Sequence, residues 1–191
     1  MRIIKVLATI SLVCFLITFD ITIFFSKTYF QLFWEQKDLN KVFQIIDFFK
    51  GSNVSFLNGS EMSHLMDVKR ILNFLISLRD VSLACFVFSL AFLHVNKEKI
   101  ELRFVFFSLL VLNVFCLCFA FFFENFFIVF HKVLFPKGNW EFPASSELIR
   151  LFPKDFWFTV FIHFIVLIFL ETVVILVMIK CRGWDLNPGT D

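Results

Sequence analysis

Four stretches of about 20 nearly continuous apolar residues constrain this chain more than any other feature of its sequence. An α-helix rises about 1.5 Å per residue, so 20 residues cross the roughly 30 Å of hydrocarbon in a bilayer. The stretches do not alternate with period two, as the strands of a membrane β-barrel do. The sequence therefore predicts an all-α, polytopic integral membrane protein with four transmembrane helices, over about 5–25, 71–94, 104–130 and 156–179.

The composition agrees with a membrane location. Hydrophobic residues make up 59% of the 191 residues and charged residues only 18%, with 33 phenylalanines. One soluble core cannot bury that much apolar surface. The net charge of +2 gives no reason to expect nucleic acid as a partner. The lipid bilayer is the expected partner, and the cell membrane is the expected location.

The positions of lysine and arginine predict the orientation, because basic flanks resist translocation across the membrane. Basic residues stand before the first helix, between the second and third, and after the fourth: Arg2, Lys5, Lys97, Lys99, Arg103, Lys180 and Arg182. Both termini are therefore expected in the cytoplasm, with outer loops 26–70 and 131–155. Residues 1–180 are expected to form one domain and 181–191 a disordered tail. For the first stretch a cleaved signal peptide is the alternative, disfavoured by its length and by the lack of a small-residue cleavage site.

Both outer loops are expected to carry short helices. Residues 38–50 place five apolar side chains largely on one side of a helix: Val42, Ile45, Ile46, Phe48 and Phe49. This pattern predicts a short helix that lies in the membrane interface. The second loop holds three of the four prolines and many aromatic residues, as is typical of an interfacial belt.

Ionisable residues within the apolar stretches are candidates for function, because a charge in hydrocarbon costs several kcal/mol unless it is paired or hydrated. There are six: Asp20, Arg79, Asp80, Glu124, His163 and Glu171. Most of them fall at a similar level in the outer half of the membrane. A structural ion pair of Arg79 with Asp20 or Glu124 is one interpretation, and a polar cavity open to the outside is the other.

A polar stripe follows the second helix at i, i+3 and i+4 spacing: Asp67, Arg70, Asn73, Ser77 and Asp80. We expect this stripe to face the interior of the bundle. If the helix starts one or two turns earlier, Glu61 and His64 extend the stripe. A carboxylate three residues from an imidazole can bond one ring nitrogen and leave the other free for proton transfer. Ordinary surface charges at a helix start are the alternative.

Two blocks of sequence resemble a known family. The first is EMSHLMDVK, residues 61–69, and the second comprises Phe130-His131, Asn139-Trp140 and residues 151–157. In this order, on the outer side of four apolar helices, they resemble the lipoprotein intramolecular transacylase (Lit) family of small membrane proteins. The resemblance covers nearly the whole chain up to about Lys180.

The resemblance implies an acyltransferase that needs no cofactor. Such an enzyme moves one acyl chain of a diacylglyceryl-modified N-terminal cysteine from the glycerol to the α-amino group of the same cysteine. A lipidated protein N-terminus would be the substrate. The two functional histidines of the family correspond to His64 and His131 here, which we expect to face one cavity near the outer surface.

Ester aminolysis needs a base for the attacking amine and a donor for the developing oxyanion. We expect His64 as the base, oriented by Asp67 or Glu61, and His131 as the donor, although the two roles can be exchanged. Four further residues are expected to support the site, the first two by holding a substrate carbonyl or lipid headgroup and the last two by closing the cavity: Lys69, Arg70, Asn139 and Trp140.

Two other classes of function remain open. A metal-dependent membrane hydrolase would use His64, Asp67 and His131 with Glu61 or Glu124, but no compact His-Glu-x-x-His block is present and no metal is expected. A noncatalytic scaffold or transport component would tolerate alanine at both histidines.

Overall fold

The computed structural model describes residues 1–33 and 38–181, and the regular secondary structure of these residues is entirely helical. Within them eight helices follow one another: α1 Arg2–Ile23, α2 Lys27–Phe33, α3 Leu39–Phe49, α4 Gly59–Val95, α5 Leu102–Phe121, α6 Phe123–Leu134, α7 Glu147–Leu151 and α8 Lys154–Cys181. Four of these, α1, α4, α5 and α8, are long and apolar enough to cross a membrane. The predicted all-α, multi-pass fold is confirmed.

Two of the predicted helix boundaries are wrong. α4 begins at Gly59 rather than near residue 71, so part of the expected outer loop 26–70 is helical. With 37 residues α4 is about 55 Å long, and one end therefore projects beyond the hydrocarbon. The single helix expected over 104–130 is two helices, because the backbone at Phe122 leaves the helical region (φ −118°, ψ 32°) between α5 and α6.

The membrane helices pack as two pairs, α1 along α4 and α5 along α8, and α1 also contacts α5 and α8. Both helices of the first pair bury small side chains, among them Ala8, Ser11, Ser82 and Ser89. Small residues let helix backbones approach closely in a bilayer, which explains this pairing. Larger aliphatic side chains fill the space between the helices: Leu93, Val105, Leu109, Ile168 and Ile179.

Ion pairs join the start of α1 to the connection between α4 and α5. Lys5 Nζ lies 2.8 Å from a carboxylate oxygen of Glu98 and 3.7 Å from one of Glu101. The hydrogen bond from Lys5 holds the pKa of the Glu98 carboxyl below its ordinary value. The start of α1 and the connection between α4 and α5 therefore lie at the same end of the bundle. That this end is cytoplasmic stays a prediction, as does the disordered tail 181–191, of which all but Cys181 lies outside the described residues.

A compact cap covers the opposite end of the bundle. It is built from α2, α3, α7 and the first turns of α8, around apolar side chains that include Phe30, Ile45, Leu151 and Phe156. The apolar face of α3 was expected in the membrane interface. Val42, Ile45 and Ile46 are instead at most 1% exposed, because the protein itself supplies their apolar neighbours.

Candidate active site

His64 stands in the second turn of α4, whose start is fixed by a capping box. The Asn58 side-chain oxygen accepts a 2.9 Å hydrogen bond from the Glu61 amide, and Glu61 Oε2 accepts one of 2.9 Å from the Asn58 amide. Glu61 Oε1 accepts hydrogen bonds from the Ser146 hydroxyl and, at 3.3 Å, from the Leu148 amide. Glu61 is only 1% exposed, and it thus joins the start of α4 to the start of α7.

His131 lies in the last turn of α6. Its Nδ1 atom is 2.8 Å from the carbonyl oxygen of Phe127, one turn earlier. Because a carbonyl only accepts, the neutral ring carries its proton on Nδ1 and leaves Nε2 unprotonated. Burial lowers the pKa of His131 below its ordinary value of 6.5, against the smaller opposing effect of the bond to Phe127. At neutral pH, His131 is therefore an uncharged imidazole with a basic nitrogen free.

The rings of His64 and His131 lie side by side, with centroids 6.3 Å apart and planes inclined by 25°. Phe135 contacts both, at 4.5 Å from the His64 ring and 5.6 Å from the His131 ring. Phe142 covers His64 at 5.6 Å and Trp140 covers His131 at 5.1 Å. The loop between α6 and α7 thus encloses the two imidazoles, which we call the histidine pair, in an aromatic surround.

The second ring of the histidine pair has an unsatisfied atom. His64 Nδ1 is buried and has no hydrogen-bond partner within residues 1–33 and 38–181. A buried polar atom without a partner is costly, and such atoms are frequent where a bound group completes the hydrogen bond. A basic nitrogen on His131 and an unpartnered nitrogen on His64, in neighbouring rings, suit acid and base catalysis at one acyl group.

A hydrogen-bond network ties the covering loop to α4. Asn139 Nδ2 donates to Asp67 Oδ2 at 2.9 Å and to Ser63 Oγ at 3.3 Å. Asp67 Oδ1 accepts a 2.7 Å hydrogen bond from Arg70. These contacts lie one residue before and three residues after His64, so they hold the loop over the histidine pair.

A cavity of about 240 Å³ adjoins the histidine pair, between the outer turns of α4 and the end of α6. Its rim is charged and its wall is apolar, and its lining comprises Asp67, Arg70, Ile71, Leu134, Phe135, Pro136 and Lys137. Phe135 belongs both to this cavity and to the aromatic surround of the histidine pair. A larger cavity of about 450 Å³ lies at the α5–α6 break, and neither histidine lines either cavity.

Comparison with known proteins decides the family. Residues 4–157 match the family model described as lipoprotein intramolecular transacylase Lit, and this range includes both histidines and the covering loop. The chain belongs to the lipoprotein intramolecular transacylase family. The resemblance noted in the sequence is thereby confirmed over most of the chain.

Relatives of known structure share the fold of this transacylase family member. Lit from Bacillus cereus superposes with a TM-score of 0.81 over 94% of both chains, at 16% identity. A histidine-to-alanine variant of that protein superposes with a TM-score of 0.73 over 96% of both chains, also at 16% identity. An uncharacterized protein of Aquifex aeolicus is 33% identical over 121 residues, which are 61% of this chain and 53% of the relative. The alignment thus spans about half the length of that curated relative.

Several supporting residues of this transacylase family member lie elsewhere than expected. In the part of the chain that the structure describes, neither Glu61 nor Asp67 bonds the His64 ring, because their oxygens are engaged in the capping box and with Asn139. Lys69 donates to the Phe48 carbonyl at 2.6 Å and so ties α4 to α3. Five residues from His64, it points about 140° away around the helix.

Contrary to our expectation, the polar stripe of α4 does not face the interior of the bundle. Asp67 is half-buried and the rest of the stripe is exposed: Arg70, Asn73, Ser77 and Asp80. The reason is that α4 packs on α1 through its opposite side, which carries Leu72, Ser82 and Ser89. His64 falls on that inner side, apart from the stripe.

The ion pair of Arg79 with Asp20 or Glu124, one of the two interpretations of the sequence, does not form among the described residues. Arg79 pairs with the neighbouring Asp80 at 2.8 Å and donates a 3.3 Å hydrogen bond to the Thr22 hydroxyl. Thr22 stands one residue before the end of α1. Arg79 therefore lies level with that end rather than deep in the bundle.

The remaining polar residues of the apolar stretches have separate surroundings. Glu124 pairs with Lys154 at the α5–α6 break and is largely exposed. His163 Nδ1 lies 2.7 Å from the Tyr29 hydroxyl, which joins α8 to α2. Asp20 is only 3% exposed on α1. These groups do not assemble into one cavity with the histidine pair.

Sequence reasoning missed Phe127, Phe135 and Phe142 as parts of the site. The i, i+4 spacing of Phe127 and His131 on a helix was an available signal, because a ring can reach the carbonyl one turn earlier. Nothing marks the other two among 33 phenylalanines.

In residues 1–33 and 38–181, no three His, Cys, Asp or Glu side chains group closely enough to hold a metal ion.

Proposed function

We propose that this protein is a membrane-embedded lipoprotein acyltransferase. It moves one acyl chain from the diacylglyceryl group of a lipoprotein N-terminal cysteine to the α-amino group of the same cysteine. The observation that carries the proposal is the histidine pair, 6.3 Å apart between rings, in a member of the transacylase family. Ester and amine belong to one substrate molecule, so the attack is effectively unimolecular once that molecule is bound.

The hydrogen bond of His131 supports separate roles for the two histidines, one as base and one as hydrogen-bond donor. His131 Nε2 takes a proton from the attacking amine as the new N–C bond forms. His64 donates a hydrogen bond from Nδ1 to the carbonyl oxygen, where negative charge develops. The ester C–O bond then breaks, and the glycerol oxygen receives the proton from His131. One ester is exchanged for one amide, and the roles are the reverse of those we expected from the sequence.

The proposed partners are the bilayer and a lipidated protein N-terminus. We place both chain termini in the cytoplasm and the histidine pair on the outer side, where the substrate's ester meets the aqueous interface. Residues 1–180 form the single domain of this proposal, with 181–191 as a tail.

Expression in a bacterium that makes only diacylated lipoproteins tests the proposal. Mass spectrometry of the lipoprotein N-termini is expected to reveal one acyl chain moved to the α-amino group. His64→Ala and His131→Ala should abolish this product at equal protein level, whereas His94→Ala, an exposed histidine near the other end of α4, should not. A noncatalytic scaffold instead predicts unchanged lipoproteins with every one of these chains.

A further inference from the structure

The side-chain amide of Asn139 has a fixed direction. Its Nδ2 donates to Asp67 Oδ2 at 2.9 Å and to Ser63 Oγ at 3.3 Å. Because a carboxylate only accepts, the amide nitrogen must face Asp67, and Oδ1 must point away from it. Oδ1 is buried and has no donor among the residues that the structure describes. It is an oriented acceptor in need of an N–H or O–H group.

Asn139 does not itself line the adjoining cavity, but its neighbours connect it to both the cavity and the histidine pair. Its chain neighbour Trp140 packs on the His131 ring at 5.1 Å, and its partner Asp67 lines the cavity of about 240 Å³. Phe135 lines the cavity and contacts both imidazoles. Asn139 therefore belongs to the loop that covers the histidine pair, within reach of an amine whose ester is held at the two imidazoles.

The charges around Asn139 disfavour a further positive charge. The titratable groups of α4, α6 and the loop nearby are His64, Asp67, Arg70, His131, Lys137 and Glu141. Arg70 and Lys137 bring two positive charges to the cavity rim, and Asp67 brings one negative charge. Glu141 is exposed. An α-amino group has an ordinary pKa of about 7.7–8.0, and a net positive surround lowers it.

We propose that this arrangement is a subsite for the uncharged α-amino group of the peptide acceptor, with Asn139 Oδ1 accepting one of its N–H bonds. The inference rests on the proposed acyl transfer and adds a substrate-binding residue to it. A neutral amide acceptor favours the ammonium form of the amine much less than a carboxylate would. The lone pair of the amine thus stays available for the ester, and His131 Nε2 is within the same enclosure to take the proton.

The test uses purified full-length chain in detergent and a synthetic diacylated lipopeptide, with kcat and kcat/KM for the transfer measured against pH, because the pKa of the bound amine is reported by kcat. Asn139→Leu removes the acceptor at similar volume, and we expect kcat/KM to fall about tenfold. The exchange Asn139→Asp with Asp67→Asn keeps an amide N–H between the two side chains but makes the acceptor negative, which favours the ammonium form. The midpoint of the rise in kcat with pH should move up by about one unit.

Lys137→Ala removes a cation from the cavity rim, and the same midpoint should move up by a smaller amount. Its side chain is exposed, so this variant folds even if changes at Asn139 disturb the loop. The matched control is Lys132→Ala, an exposed lysine of α6 that does not line the cavity, for which no shift is expected.

Three results overturn the subsite. If wild-type chain transfers the acyl group but neither the Asn139→Asp, Asp67→Asn exchange nor Lys137→Ala moves the midpoint of kcat, the amine is not bound here, and the transfer itself stands. If Asn139→Leu loses activity only in proportion to its loss of folded protein, Asn139 is structural. If the wild-type chain performs no transfer at all, the proposed function fails and the subsite fails with it.

Discussion

The Nδ1 atom of His131 and the carbonyl oxygen of Phe127 lie 2.8 Å apart, one turn from each other on α6. This bond leaves Nε2 as the ring nitrogen of His131 that can accept a proton. It therefore distinguishes the role of His131 from that of His64. α6 is a separate helix only because the chain breaks at Phe122. The break therefore sets the position of the imidazole, and the bond to Phe127 sets the tautomer in which it is held.

His131→Asn separates the hydrogen bond from proton transfer. The asparagine amide nitrogen can take the place of Nδ1 and donate to the Phe127 carbonyl, but it offers no basic nitrogen. We expect the rate of acyl transfer to fall about 10²–10⁴-fold while the unfolding temperature stays near that of the wild type. Initial rates on a lipopeptide and thermal unfolding in detergent measure the two quantities. His94→Asn is the control, and an equal loss of rate in both variants would contradict the assignment.

A pH titration tests the uncharged state of His131. Burial holds its folded pKa below 6.5, so the unfolded chain binds a proton at a pH where the folded protein does not. The resulting loss of stability is absent above pH 6.5 and grows as the pH falls from 6.5 towards the lowered folded pKa. Below pH 6.5 we expect the unfolding temperature to fall more steeply for the wild type than for His131→Asn. An equal fall in both variants would contradict the prediction.

The four membrane helices were predictable because apolar length is a local property of the sequence. The break between α5 and α6 was not, since residues 119–123 carry neither proline nor glycine to mark it. Tertiary contacts accompany it instead: the Phe123 ring lies 5.1 Å from that of Phe158 and 5.7 Å from that of Phe161 on α8. Such contacts join residues far apart in sequence, and no local pattern encodes them.

Helical periodicity correctly placed the polar stripe of α4 on one side of the helix. It did not predict the direction in which that side points. In a membrane, lipid is as apolar as the protein interior, so polarity alone does not tell inside from outside. The small residues Ser82 and Ser89 mark the inner side, which the structure packs against α1. The apolar face of α3 was misjudged in a similar way, because an interfacial helix and a helix buried in a protein cap share one pattern.

Glu61 is expected to support folding rather than proton transfer. Glu61→Ala leaves the amides of Asn58 and Leu148 and the hydroxyl of Ser146 without their acceptor. We expect a loss of about 1–3 kcal/mol in the free energy of unfolding, with the rate of acyl transfer per folded molecule unchanged within about threefold. Denaturant titration and active-site-normalised rates provide the measurements.

Glu141→Ala is the matched control for this change, because Glu141 is exposed in the loop that covers the histidine pair. It should alter neither stability nor rate. A Glu61→Ala chain of normal stability and a rate reduced more than tenfold would return Glu61 to the orienting role expected from the sequence.

The hydrogen bond between Tyr29 and His163 predicts a structural role for a histidine within an apolar stretch. The two atoms are 2.7 Å apart, Tyr29 is 6% exposed, and burial raises the pKa of Tyr29 to about 12, so its hydroxyl stays neutral. Tyr29→Phe removes only the hydroxyl. We expect a loss of about 1 kcal/mol and a fall in unfolding temperature of about 2–4 °C, with acyl transfer unchanged.

Thr159→Val serves as the comparison for Tyr29→Phe, because the Thr159 hydroxyl bonds only the backbone of its own helix, at Asp155. Its effect on unfolding temperature should be smaller than that of Tyr29→Phe. If Tyr29→Phe instead keeps the wild-type unfolding temperature and loses tenfold or more in rate, the Tyr29–His163 pair takes part in the chemistry. The histidine pair would then not be the sole proton-transfer centre of the site.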